Sequence, residues 1–419
     1  MSIRELATFA GSVLRLAYRR KVSLDKAFQQ AKMPKKVRMM PQKLVYRVVR
    51  GVVSDFYLMR HVSKEVYGRS LDPYGLGMLW LYYKGEDFLE GYEGSLRKFR
   101  RELRKGMPRY KELCDLLDEA SDPEERLAVE LSYPRWFVRR LVSLVGLSEA
   151  EKILRGLNKE VVWVRINTLK AELDLVKEEL EESGVKLRKD GDLWYMFEVL
   201  DYEEPLHKLG PIKRGEAILQ DKASAMVVEA LEPEPGDTLL DLTAAPGIKA
   251  SLFAMLAENR ARIFAMDLSL QRLKSARRLL ALYGAKNIEL LRGDAINPPF
   301  LTDKGDKLLL DAPCTSSGAI GRDPAIKLHL EDEGWASKFP KLQARMLKTC
   351  IPPKGVLVYA TCSVLESEGE EVVKGLKNLL RLDLPGSAGY RIYPFSDKVV
   401  RFFPHIHHTE GFFISKFQM

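Results

Sequence analysis

The chain is 419 residues long, 46% hydrophobic and 30% charged, with a formal net charge of +9. That length exceeds what one hydrophobic core serves, so more than one domain is expected. Four cysteines without a CxxC pair argue against a zinc-ribbon site or a disulfide-stapled secreted module, and no apolar run approaches the roughly 18 residues of a membrane-crossing helix.

The opening "MSIRELATFAGSVLRLAYRR" carries Glu5 and an amphipathic pattern unlike a secretory leader, so a cytoplasmic location is expected. "FAGSVLRLAYRR", "PQKLVYRVVRGVVSDFYLMRHV" and "YGLGMLWLYYKG" space their apolar residues as helices do, which predicts an all-helical domain over residues 1–128. Residues 1–110 hold 24 Lys/Arg against 10 Asp/Glu, leaving 43 against 48 in the remainder. A polyanion would select so basic a module, because each phosphate neutralised releases counterions; a charged solvated surface is the plainer alternative. Cys114 and Cys350 sit in helical patterns and read as small core residues.

Residues 129–213 read as a compact α+β module, with strands in "VVWVRINTL", "VKLRK" and "WYMFEVL" around the helix "ELDLVKEELEESG". From residue 214 to 419 short apolar strands ("TLLDLTA", "ARIFAMD", "IELLRGD", "KLLLDAP", "GVLVYATCS") alternate with helical runs. That rhythm predicts an α/β domain, a parallel sheet covered on both faces. "EGFFISKF", with no helix after it, is expected as an antiparallel edge strand.

In such sheets ligands bind beyond the carboxyl ends of strands. The first turn, "DLTAAPGIKAS", offers small residues and one glycine, Gly247, but neither a GxGxxG fingerprint nor a GxxxxGK[ST] phosphate loop, which counts against nicotinamide and nucleoside-triphosphate sites. Asp267 ends the next strand, where an acid can accept from ribose hydroxyls, and Asp294 ends the third, where one can meet an adenine amino group. A single strand-end acid is most simply a cap or turn residue; three at successive strand ends, Asp241, Asp267 and Asp294, point to a nucleoside pocket.

"DLTAAPGIKAS", "DAPCTSSGAIGRDP", "YATCSVLESEGEEVV" and "PHIHHTEGFFISKF" together resemble the motifs of the RNA 5-methylcytosine methyltransferases, the Sun/Fmu group, and "SYPRWFVRRL" and "VWVRINTL" resemble its pre-catalytic, RRM-like region. The helical first domain is similar in position and character to the NusB-like RNA-binding domain that some members carry. The resemblance implies a Rossmann-like methyltransferase sheet, S-adenosyl-L-methionine as cofactor, and RNA, ribosomal or transfer, as partner. It implies a cofactor wall of Thr243, Ala244, Ala245, Pro246, Gly247, Ile248, Lys249, Asp267, Arg272, Asp294 and Asp311. It further implies Cys362 as nucleophile, Cys314 assisting product release, Asp311 contacting the cytosine and Lys249 lining the same pocket. Three positions depart from the usual first motif: Thr243, Ile248 and Ala250 stand where Cys, Gly and Thr are common.

The chemistry explains why such residues would gather. Carbon 5 of cytosine is a poor nucleophile, and a thiolate adding to carbon 6 turns the ring into an enamine. An acidic group beside the thiol helps as charge develops on the ring nitrogen. Both Cys314 and Cys362 follow strands in Ser/Thr-rich loops, so by chemistry alone either could attack. No metal is expected: the histidines of "PHIHH" have no carboxylate or thiol at ligand spacing. Arg322 and Lys327 are candidate phosphate contacts. Two other functions stay open from sequence: a transferase to nitrogen or ribose oxygen, and a non-catalytic RNA-binding assembly factor.

Overall fold

The computed structural model describes residues 3–118, 122–298, 306–349 and 355–418, so Cys350 lies outside the described residues. The chain divides into two compact units, Met1–Asn158 with Ile320–Ala336, and Lys159–Ala319 with Ser337–Met419.

The first unit is helical. Helix Ile3–Arg20 lies against helix Pro73–Lys84, and glycines allow the contact: a Cβ on Gly77 would meet the Ala7 carbonyl oxygen at 2.5 Å, and one on Gly11 the Pro73 oxygen at 2.6 Å. Asp72 caps the latter helix, accepting from the Gly75 amide at 2.9 Å. The long pattern over residues 41–62 breaks at Asp55 into helices Gln42–Ser54 and Phe56–Tyr67, and Trp80 Nε1 donates to the Asp55 carboxylate at 2.8 Å. This unit extends past the expected boundary at 128, because helices Arg135–Val145 and Leu147–Leu157 belong to it, and it takes in the distant segment 320–336, whose Ala325 and Leu328 join its core.

Two expectations fail in this unit. Cys114 is exposed in the short helix Leu113–Asp118, not a core residue; its helix buries Leu116 instead. Lys327 cannot contact phosphate: it is fully buried, donating to the carbonyls of Ser54 at 3.1 Å and Leu131 at 2.9 Å, with its ammonium 4.2 Å from the Tyr133 ring centre. Burial drives its pKa down to about 7.

The second unit carries two sheets. Strands β1 (Val162–Ile166), β2 (Val185–Lys189), β3 (Met196–Tyr202) and β4 (Ala217–Leu219) form an antiparallel sheet in the order β2-β3-β1-β4, with helix Leu173–Glu182 between β1 and β2. This is the expected α+β module, but β4 pairs with β1 and so carries it past residue 213.

The larger sheet contains β5 (Thr238–Asp241), β6 (Arg262–Asp267), β7 (Ile288–Arg292), β8 (Lys307–Asp311), β9 (Val356–Thr361), β10 (Leu379–Leu380), β11 (Ser387–Ala388), β12 (Val400–Phe402) and β13 (Phe412–Gln418), ordered β11-β12-β13-β9-β8-β5-β6-β7 with β10 also on β13. β5 to β9 are parallel, as their continuous apolar runs predict. β13 is antiparallel to β9, yet it is not an edge strand: β12 and β10 pair with its other side. Six of its seven residues are buried, which an edge position would not supply. No helix among the described residues is long and apolar enough to cross a membrane.

Candidate active site

The parallel order β7-β6-β5-β8-β9 reverses between β5 and β8, and ligands of open α/β sheets sit at the carboxyl ends of strands at such a reversal. Asp241 ends β5 and Asp311 ends β8. Between β5 and helix Ile248–Leu256 the turn closes with the Gly247 amide donating to the Ala244 carbonyl at 2.6 Å, and Gly247 takes φ 97°, which a side chain would strain. Thr243 uses its hydroxyl, donating to the Asp311 carbonyl at 2.9 Å; this is what the residue standing in the usual Cys position does here.

Lys249, in the first turn of that helix, donates to Asp311 Oδ2 at 2.6 Å. Burial works against its ammonium, but the charge and hydrogen bond of Asp311, with Cys362 and Asp241 adding, outweigh it and raise its pKa. Lys249 is therefore a fixed cation beside both Asp311 and Cys362. Asp241 Oδ1 accepts from the Thr243 amide at 3.3 Å, while buried Oδ2 has no hydrogen-bond partner among the described residues. Burial, helped by the charges of Asp311 and Asp267, pushes this carboxyl up to about 7.

The thiols follow β8 and β9. Cys314 Sγ and Cys362 Sγ are 3.3 Å apart, in hydrogen-bond contact, and both residues keep partial exposure. Adjacent parallel strands explain the meeting: Asp311 is in register with Ala360, two residues before Cys362. The hydrogen bond with Cys362 raises the Cys314 thiol well above its ordinary pKa, with burial and the charges of Cys362 and Glu368 acting the same way. Across the loops the Gly318 amide donates to the Cys362 carbonyl at 3.0 Å, and the Gly411 amide to the Gly318 carbonyl at 2.9 Å. A Cβ on Gly318 would fall 1.8 Å from the Gly411 oxygen, so only glycine fits there.

The other expected residues are placed less centrally. Arg272 Nη1 pairs with Asp267 Oδ2 at 3.0 Å and Nη2 reaches the Ala245 carbonyl, tying the helix after β6 to the first turn. Asp294, exposed after β7, accepts from the Ile296 amide at 2.9 Å and closes its own turn. Of the histidines, His407 Nδ1 accepts from the Phe403 amide at 2.8 Å, and the His408 carbonyl accepts from Trp163 Nε1 at 2.6 Å. Among the described residues no group of three or more His, Cys, Asp or Glu is arranged to hold a metal ion.

Sequence reading missed Glu368. It is fully buried and accepts from the Thr315 amide at 2.9 Å, the Thr315 hydroxyl at 2.5 Å, the Ser363 hydroxyl at 2.6 Å and Gln343 Nε2 at 3.2 Å. Fully buried Arg401 pairs with buried Glu370, its Nε 2.8 Å from Oε1, and donates to the Ser363 carbonyl at 3.1 Å. In sequence only a lone arginine in the apolar run "KVVRFF" signals that the acids near it are inside.

A parallel sheet reversing at β5 and β8, closed by antiparallel β13 and carrying acids and thiols at its carboxyl edge, defines a nucleoside-cofactor transferase fold. A family model described as 16S rRNA methyltransferase RsmB/F matches residues 228–418, and one described as the ferredoxin-like domain of RsmF/B-like methyltransferases matches residues 133–193. The probable ribosomal RNA small subunit methyltransferase B of Bacillus subtilis is 30% identical over 340 residues, 77% of this chain and 72% of that protein. The 28S rRNA (cytosine(4447)-C(5))-methyltransferase of Homo sapiens is 32% identical over 349 residues, 78% of this chain but only 42% of that protein. The crystal structure of PH0851 matches with a TM-score of 0.80 at 26% identity, over 100% of this chain and 99% of that one. NSun6 from Pyrococcus horikoshii, solved with the S-adenosylmethionine analogue SFG, matches with a TM-score of 0.60 at 25% identity, over 67% and 96%. The chain belongs to the RsmB/F family of S-adenosylmethionine-dependent RNA cytosine-C5 methyltransferases.

Proposed function

We propose that this protein methylates carbon 5 of cytosine in ribosomal or transfer RNA through a covalent bond between Cys362 and the base. The observation that carries this reading is the contact of two sulfurs at 3.3 Å beside the Lys249–Asp311 pair. A transferase to nitrogen or ribose oxygen acts on a lone pair and needs no thiol.

The residues at the carboxyl edge fit the family's cofactor. The unmatched Oδ2 of Asp241 suits a group that donates hydrogen bonds or carries positive charge, and the Gly247 turn lets a ligand approach backbone. Thr243 to Lys249, with Asp267 and Asp294, would hold it, and Arg272 would fix Asp267. When bound, S-adenosylmethionine supplies an electrophilic methyl on a sulfonium sulfur.

The chain's own groups divide the remaining work. The Cys362 thiolate adds to carbon 6, forming an S–C bond and moving the C5=C6 electron pair to carbon 5, where it can take the methyl. Asp311 accepts from the exocyclic amine, and the Lys249 ammonium balances the negative charge that gathers between Asp311 and the thiolate. The carbon-5 proton then leaves to water or a base, the C5=C6 bond re-forms, and the Cys362 sulfur departs with its electron pair. Cys314, hydrogen-bonded to that sulfur, stabilises it as it leaves. Since a stacked base cannot reach the sulfur, the target cytosine is unstacked.

In the same reading the helical unit is a NusB-like domain that binds the RNA backbone, and the protein works in the cytoplasm, where its thiols stay reduced. The basic excess of residues 1–110 supports RNA as the partner. Incubation with RNA and labelled cofactor tests the reaction. Cys362→Ala should abolish carbon-5 methylation, and Cys314→Ala should leave a protein–RNA adduct that survives denaturing electrophoresis. Label found only on nitrogen or ribose would overturn the reading.

A further inference from the structure

The run "ESEGEE" that follows the second thiol reads as a solvated acidic stretch, yet Glu366, Glu368 and Glu370 are all fully buried. Glu370 has Arg401 as its ionic partner, but among the described residues the hydrogen bonds to the Glu368 carboxylate come from uncharged groups. A buried carboxylate held by neutral donors carries a desolvation cost that an apolar side chain there would avoid. Burial accordingly raises its pKa, against the hydrogen bonds from Ser363, Thr315 and Gln343 that favour the charged form.

The identity of those donors gives the carboxylate a role. Thr315 directly follows Cys314, and Ser363 directly follows Cys362. One carboxylate oxygen accepts from both hydroxyls, at 2.5 Å from Thr315 and 2.6 Å from Ser363, so a single side chain joins the two thiol-bearing loops. Gln343 Nε2 extends the tie, donating to Glu368 Oε1 at 3.2 Å and to the Pro313 carbonyl at 2.8 Å on the other side of Cys314. The Glu368 carbonyl in turn accepts from the Tyr359 hydroxyl at 2.8 Å and the Thr361 hydroxyl at 3.2 Å, which anchors the bridge to β9.

We propose that Glu368 is a positioning residue for the methyl-transfer reaction: it clamps the Cys314 and Cys362 loops together so that the two sulfurs stay in contact, with Cys314 as donor. Its negative charge also strengthens the hold of Cys314 on its proton, which is the state needed to stabilise a departing thiolate. The role rests on the proposed division of labour between the thiols. It places the effect of Glu368 on release of the product and not on addition to the base.

The test uses wild type, Glu368→Gln, Thr315→Val, Cys314→Ala and Cys362→Ala. Each is mixed with RNA and cofactor, and adduct is read on denaturing gels beside single-turnover methyl transfer. In parallel, the iodoacetamide reaction of Cys314 is followed against pH by peptide mass spectrometry without RNA. Glu368→Gln should raise the adduct roughly tenfold over wild type while methyl transfer continues, and should move the Cys314 alkylation profile to lower pH, because a nearby negative charge is lost. Thr315→Val, which keeps the charge but cuts one strut, should accumulate adduct without moving the profile. Wild-type adduct levels in both variants, or an unmoved Cys314 profile in Glu368→Gln, overturn the proposal. If Glu368→Gln does not fold, the adduct level of Thr315→Val decides alone. Continued carbon-5 methylation by Cys362→Ala would remove the thiol roles, and the alkylation profile would still show whether Glu368 governs Cys314.

Discussion

Asp241 gives the most quantitative handle on the candidate pocket. Its carboxyl has an ordinary pKa of 3.8 and is pushed up to about 7 in the fold, chiefly by burial. Between those values the unfolded chain has released a proton that the folded site keeps, so stability falls as pH rises, by about 1.4 kcal/mol per unit, and levels off above pH 7. From pH 5 to pH 7 the loss comes to about 2 kcal/mol. The Asp241→Asn substitution removes the titrating group and resembles the protonated acid in shape. Its stability relative to wild type should therefore rise by about 2 kcal/mol over that interval, since other groups titrate alike in both proteins. Urea unfolding at pH 5, 6 and 7, followed by the fluorescence of Trp163 and Trp194 in the same unit, measures the difference. A saturating cofactor analogue bearing a positive amino group should flatten the wild-type slope. Parallel pH profiles for the two proteins would refute the burial of an unmatched carboxyl oxygen.

Two further expectations concern the helical unit. Lys327 falls from 10.5 to about 7, so wild-type stability is fully present above pH 10.5 and falls with pH down to about 7; the stability of Lys327→Met relative to wild type should therefore fall by about 1.4 kcal/mol per unit as pH rises from 7 to 10.5, read by urea unfolding at pH 7.5 and 9.5. On helix Glu93–Arg104 and just beyond it, Arg97, Lys98, Arg101 and Lys105 are exposed at helical spacing on one side. Replacing all four with Glu should weaken RNA binding and flatten its salt dependence by roughly 0.7–0.9 in log–log slope for each phosphate no longer neutralised, measured by filter binding at several salt concentrations; an unchanged slope would move the RNA surface elsewhere.

How much of this could be read beforehand depended on which forces each residue answers to. The strands β5, β6, β8 and β9 were legible because a parallel sheet covered on both faces demands continuous apolar runs, and each ends at the residue that turns out to stand at the sheet's carboxyl edge. The pairing of Cys314 with Cys362 followed from the same logic once β8 and β9 are neighbours, although the neighbouring itself is a long-range fact that no local pattern contains. Charged residues misled most. Lys327, Glu368 and Arg401 carry side chains that belong outside by composition, and each is instead buried against carbonyls, hydroxyls or an opposite charge that lie far away in sequence. The same holds for the domain boundary: segment 320–336 reads as part of the α/β domain because it sits between two of its strands, and only the burial of Ala325 and Leu328 among helices assigns it elsewhere.

Chemistry alone left the two thiols interchangeable and only the family resemblance assigned their roles, but their surroundings differ. Cys362 has the Lys249 ammonium in electrostatic reach, while Cys314 lies against the buried Glu368 carboxylate and the sulfur of Cys362 itself. The hydrogen bond to Cys362 and burial hold the proton on Cys314, and the Glu368 charge acts the same way. The reaction we propose asks for this inequality. A nucleophile must be an anion before the base arrives, and a group that assists its departure must still own a proton afterwards, so two identical environments would leave the shared proton undecided between them. The chain brings a cation into electrostatic reach of Cys362 from the helix after β5, and an anion into reach of Cys314 from the loop after β9, with the two sulfurs 3.3 Å apart.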